Sequence, residues 1–140
     1  MRVLLLLSKI TKNEKVECVM YKEKIEKLAS KIKDNETLEN LRFVEKDFSE
    51  YVRTVADTEN ILTIARFKYQ GEEFREYVAG QMLLRKRAMA CAVYSIKILN
   101  KICLLHDEPV IYTEDIRNTE QIACFCKSVV DELFESRKAA

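Results

Sequence analysis

Two glycines and one proline in 140 residues constrain this chain more than any other feature. Turns draw on those residue types for special backbone angles. A β-sandwich, or an α/β fold with many short loops, needs far more of them. So few breakers mean few, long elements, and the abundance of Lys, Glu and Leu makes those elements helices. The expected class is all-α: a bundle of about four helices around one long antiparallel hairpin, forming a single domain over residues 1–140.

Apolar spacing places the helices. Residues 1–10 are ambiguous, because a run as short as Val3–Leu7 suits a buried strand or a helical turn; helix is the preferred reading. Cys18, Tyr21, Ile25, Leu28 and Ile32 recur at steps of 3 and 4, predicting a helix over about 14–33. Asn35 is a candidate cap for the next helix. Its stripe runs Leu41, Val44, Phe48, Tyr51, Val55, Thr58, Leu62, Ala65 and Tyr69. The unbroken register predicts one helix over about 36–69, with a kink at 57–60, where Asp57-Thr58 favour caps, as the alternative. Gly71 supplies the left-handed residue that ends it. A third helix over about 72–105 carries Val78, Met82, Arg85, Met89, Ala92, Ile96, Leu99 and Cys103 in the same alternation. Its apolar residues spread over most of its circumference, which marks it as the central helix. Gly80, inside it, costs about 1 kcal/mol relative to alanine. It marks either a close helix contact or a weak spot. The loop 106–117 holds Val110-Ile111-Tyr112, an apolar plug expected to pack. Asn118, with Gln121 three residues on, opens the last helix in a capping-box-like pattern.

The lengths do not match. Two helices of about 34 residues each span about 51 Å, whereas the other two, near 20 residues, span about 30 Å. A turn at Gly71 forces the long pair antiparallel, and the short pair cannot cover all of it. A bare apolar seam finds a partner, so a homodimer, or pairing with another protein, is expected.

Bulk charge narrows the partners. The formal net charge is +1, with both signs spread through the chain, so no basic excess points to nucleic acid. Arg2 followed by Val3–Leu7 resembles the start of a signal peptide, but the run is shorter than the roughly 7–15 residues required. No stretch reads as the roughly 18 apolar residues of a membrane span. Five cysteines without disulfide-like spacing suit a reducing cytoplasm.

Few residues suggest chemistry. Cys103, His106, Cys124 and Cys126 are types that bind zinc. Cys124 and Cys126, however, sit two positions apart on a helix and point about 200° away from each other. Core packing is the better reading for Cys91, Cys103 and Cys126. His106 is the only histidine, at a helix exit, so it suits a contact with the helix C-terminal dipole or a solvated loop position better than a catalytic pair. No phosphate loop, dinucleotide fingerprint or metalloprotease helix is present. The single histidine excludes the di-metal bundle signature. No catalytic residue, metal site or cofactor is therefore assigned, and a non-enzymatic role is favoured.

The basic run Arg85-Lys86-Arg87 fans over about 200° of a helix and makes no flat phosphate-binding face. Arg85 alone falls on the apolar stripe, where a charge must be paired or hold something. A reversal at Gly71 sets it about level with Asp57 and Glu59, the candidate partners. An anionic ligand bound near Arg85 and Glu59 is the alternative function.

Several segments resemble a family of small helical proteins of unknown function from Firmicutes such as clostridia. They are Tyr51-Val52-Arg53, Tyr69-Gln70-Gly71-Glu72-Glu73-Phe74-Arg75-Glu76, Arg85-Lys86-Arg87-Ala88, Ile98-Leu99-Asn100-Lys101-Ile102-Cys103 and Glu132-Leu133-Phe134-Glu135. The likeness covers mainly residues 41–137. It implies a bacterial origin and a helical fold, and it supplies no activity. The family pattern sets a His-Asp pair after the basic run, where this chain has Met89 and Ala90.

Overall fold

A computed structural model describes residues 21–68 and 71–134. The reading of residues 1–10 lies outside them. Four helices make up the fold, with no strand among the described residues: α1 (21–31), α2 (Asn35–Lys68), α3 (Gly71–Leu105) and α4 (Thr119–Phe134).

The helix starts follow their capping chemistry, with one correction. Asp34, not Asn35, caps α2. Its carboxylate accepts the Thr37 amide at 3.1 Å and the Thr37 hydroxyl at 2.7 Å. An ionised acceptor gains from the helix dipole, which a neutral amide does not. Those Thr37 bonds hold the Asp34 carboxyl below its usual range. Asn118 caps α4 as expected, accepting the Gln121 amide at 3.1 Å. Asp57-Thr58 makes no break. The Thr58 hydroxyl donates back to the Thr54 and Val55 carbonyls, both at 2.9 Å, and so spends no bond on a new helix start.

Gly71 has φ 68°, the left-handed geometry that glycine adopts without steric cost. The chain reverses there, and α2 packs along α3. Positions about equally far from Gly71 face each other: Glu59 meets Arg85, and Val44 and Tyr51 line a groove with Ile98 and Cys91. At its other end α3 closes in a six-to-one turn. The Glu108 amide donates to the Cys103 carbonyl at 2.9 Å and the Asp107 amide to the Leu104 carbonyl at 3.3 Å. Asp107 takes the left-handed position with φ 55°, where glycine is usual.

The core sits at the end of the hairpin away from Gly71. Tyr21, Ile25, Leu28 and Ile32 of α1 meet Leu41 and Phe48 of α2, Ile96 and Leu99 of α3, and Ile122, Cys126 and Val129 of α4. An aromatic cluster ties these layers together. Phe48 lies 5.4 Å from Tyr21 and 6.1 Å from Phe125 between ring centroids, and Tyr112 lies 4.9 Å from Phe125. The loop plug packs as expected: Ile111 and Tyr112 are buried. Asn100 holds it. Its side-chain oxygen accepts the Ile111 and Tyr112 amides at 3.0 and 3.3 Å, and its amide donates to the Tyr112 carbonyl at 3.0 Å. From α1, Lys24 Nζ donates to the Val110 carbonyl at 2.8 Å, and Lys31 pairs with the buried Glu108 at 2.8 Å.

One stretch of α3 overturns the expectation that nothing in the chain approaches a membrane span. By length and composition alone it is apolar enough to cross one, with mean hydropathy 1.6, and 39% of it is buried in the bundle. Burial explains only part of that character: Tyr94, Leu104 and Leu105 stay exposed on α3, and α2, which packs on both α3 and α4, is the more central helix.

Candidate interaction surface

Among the described residues, the two short helices cover one end of the hairpin. Beyond Asn60 on α2, the last residue that lines a cavity with α4, and before Ala88 on α3, the helices project as a two-helix arm among the described residues. From Glu59 to Ala65 and from Gly71 to Arg87, only Ala65 is fully buried. The α3 side of this arm is about 25 Å long at 1.5 Å per residue. The stripe residue Met82 is therefore not a core residue: it is 58% exposed. The 3-4 spacing predicts which side faces α2, but burial also needs a third layer, and none of the described residues of α1 or α4 reaches this far. Ile64, Leu83 and Leu84 are exposed on the same arm. Met82, Leu83 and Leu84 are successive positions about 100° apart, so they spread round α3, and Ile64 adds an exposed apolar residue on α2.

A groove of about 520 Å³ runs along the seam, lined by Leu62, Phe74, Val78 and Met82, with Glu59 and Arg85 at its inner end. The two charged residues form an ion pair across the helices. Of the two partners expected for Arg85, the structure selects Glu59. Asp57 turns outward and approaches Arg53 of its own helix at 4.0 Å, with both side chains mostly exposed. The reason is angular: two residues further along a helix is about 200° of rotation. The Arg85 side chain is 28% exposed and Glu59 is 52% exposed, so water screens the pair and its contribution to stability is small. Arg85 Nε is buried and has no hydrogen-bond partner among the described residues. Chemically the site is an apolar trough closed at one end by a cation whose charge is already answered.

The remaining candidates separate. Cys124 is exposed and Cys126 buried, the opposite orientations that helix geometry requires. Burial pushes the Cys126 thiol up to about 12, which leaves it unreactive near neutral pH. His106 Nδ1 lies 2.9 Å from the Ile102 carbonyl, a contact with the end of α3. Among the described residues, no group of three or more His, Cys, Asp or Glu is placed to hold a metal ion.

Sequence reasoning missed a second concavity, of about 760 Å³, between α1, the loop and α4. Tyr21 and Tyr112 line it, with buried hydroxyls that have no hydrogen-bond partner among the described residues. The aromatic content of the loop was the available signal. Which ring would face a cavity depends on the Asn100 anchor, and spacing does not show that.

A family model described as "Protein of unknown function (DUF3232)" matches residues 1–139. The chain belongs to that family, and the match extends the likeness seen over residues 41–137 to nearly the whole chain. No curated protein and no solved structure matches the chain.

Proposed function

We propose that this member of the DUF3232 family is a cytoplasmic interaction protein that works by packing its α2–α3 arm against another helix, in the first instance that of a second copy. The supporting observation is the uncovered arm. Met82, Leu83, Leu84 and Ile64 are exposed, and the described residues of α1 and α4 leave them uncovered. Their exposure gives association a hydrophobic driving force that the isolated chain does not use. Sedimentation of the purified full chain from 5 to 500 µM tests this. A weight-average mass rising toward twice 16.4 kDa is expected. A monomer throughout refutes it.

A second reading has an observation of its own. Arg85 lines the apolar trough and its buried Nε has no partner among the described residues, so a small anion displacing Glu59 and reaching Nε would gain a charge-assisted hydrogen bond. Thermal shift with inorganic phosphate and with a short-chain carboxylate tests it on the wild type and on Arg85→Met. Stabilisation of the wild type alone supports the ligand site. An unchanged melting temperature in both, or a raised one in the variant without any ligand, rejects it.

A further inference from the structure

We infer that the outer face of α3 pairs antiparallel with the same face of a second copy, crossing at Gly80 and clamped by Glu73 of each copy on Arg87 of the other. This deepens the self-association proposed above and rests on it.

Val78 and Arg85 lie on the α2 side of α3, lining the groove between the helices. At 100° per residue, Glu73, Glu76, Gly80, Leu83 and Arg87 fall on the opposite side, a row with steps of 3 and 4. All five are exposed. Gly80 is the flattest point of this row. A side chain added there would meet nothing within 4 Å, so the glycine serves no contact inside the chain. Within a helix it weakens stability relative to alanine. A flat spot on an outward face lets a second helix approach closely, which the fold of one copy leaves unused.

The charges around Gly80 are self-complementary. Glu73 lies seven residues before it and Arg87 seven residues after it. Seven residues are about two turns, so both charges stay on the face of Gly80, each about 10 Å from it along the axis. In an antiparallel crossing about a two-fold axis through Gly80, a residue before the axis meets the residue equally far after it in the partner. Glu73 then meets Arg87 twice, once on each side of the crossing. Leu83 and Leu84, three and four residues after Gly80, fill the space between. A parallel crossing sets Glu73 on Glu73 and Arg87 on Arg87, which repels. Neither Glu73 nor Arg87 makes an ion pair with a described residue. Ala90 and Tyr94 continue the same row, exposed, and there it comes round to the groove that α2 lines with Phe43, Val44 and Tyr51.

The contact is small. A row about 25 Å long and one helix wide buries a few hundred Å² per copy, below the roughly 800 Å² of a standard interface. The dimer is therefore weak, in the micromolar range, and depends on salt.

Charge reversal tests the pairing, by sedimentation of the full chain at low ionic strength and several hundred micromolar. Glu73→Arg and Arg87→Glu should each weaken dimerisation at least tenfold. An equimolar mixture of the two single variants should recover it, because each copy then offers the charge the other lacks. The double variant should recover it as well. Within one chain the two positions are about 21 Å apart, so rescue reports contact between copies only. Circular dichroism melts confirm that each variant keeps its fold. Single variants that dimerise like the wild type, or a mixture that stays monomeric, overturn this inference and leave self-association through another face standing. A monomeric wild type overturns both.

Discussion

Replacing Asn100 with alanine should unfasten the loop from α3, and the cost can be worked from three bonds. The Asn100 amide matches the loop backbone as an added strand edge would, with two donors to its oxygen and one acceptor for its nitrogen. Two of the bonds are 3.0 Å long and one is 3.3 Å, all partly shielded from water. Each contributes about 1 kcal/mol net, the longer one less, so the variant should lose about 2–3 kcal/mol. In a chain of this size that lowers the melting temperature by about 10 °C. Asn100→Asp separates the parts. It keeps the oxygen that accepts the Ile111 and Tyr112 amides, removes the donor and sets a negative charge beside the Tyr112 carbonyl. About half the loss is expected. Urea unfolding followed by circular dichroism gives both values from midpoint and slope. An alanine variant within 0.5 kcal/mol of the wild type, or an aspartate variant as unstable as alanine, would refute the anchoring argument.

Three further outcomes follow from features of the core and its edges. Phe48→Ala should cost about 3–5 kcal/mol in the same assay, because the ring is fully buried between Tyr21 and Phe125 and leaves a cavity. Asp107→Gly should stabilise the chain by about 0.5–1 kcal/mol, since glycine relieves the left-handed backbone at φ 55° while the turn bonds stay in place; a destabilised variant would mean the side chain itself holds the turn. Lys31 beside Glu108 holds that carboxyl below its ordinary 4.5. The unfolded chain therefore takes up the proton first, so this pair stabilises the fold above pH 4.5 and is lost progressively as pH falls below it. Glu108→Gln should shrink the difference in urea midpoint between pH 7 and acid, and an unchanged difference would remove Glu108 from the account.

The hairpin was legible because its information is local and periodic. A stripe at steps of 3 and 4 predicts a helix, and one left-handed glycine predicts a reversal. Arithmetic about Gly71 then sets Arg85 near Glu59, as observed. Choosing Glu59 over Asp57 needed the rotation of each side chain around α2, and that depends on how the helices lean together. What stayed hidden depends on residues that look ordinary in sequence. Asn100 reads as one polar residue on a helix, and its partners lie 11 and 12 positions on, beyond any helical spacing. Met82 shows the converse limit. Its position on the stripe predicted its direction, but whether it was covered depended on where α1 and α4 end.

The overhang of α2 and α3 also sets a gradient of local stability along two continuous rods. Amides of α3 between Ala88 and Cys103 are wrapped by core residues and can exchange with solvent only when the whole bundle opens. Those nearer Gly71 are held by a single neighbouring helix. Sub-global unzipping from the turn should expose them at a lower free energy, stopping where Arg85 meets Glu59. One unbroken helix would thus contain two cooperative units, with the boundary between them about one turn before the first buried alanine.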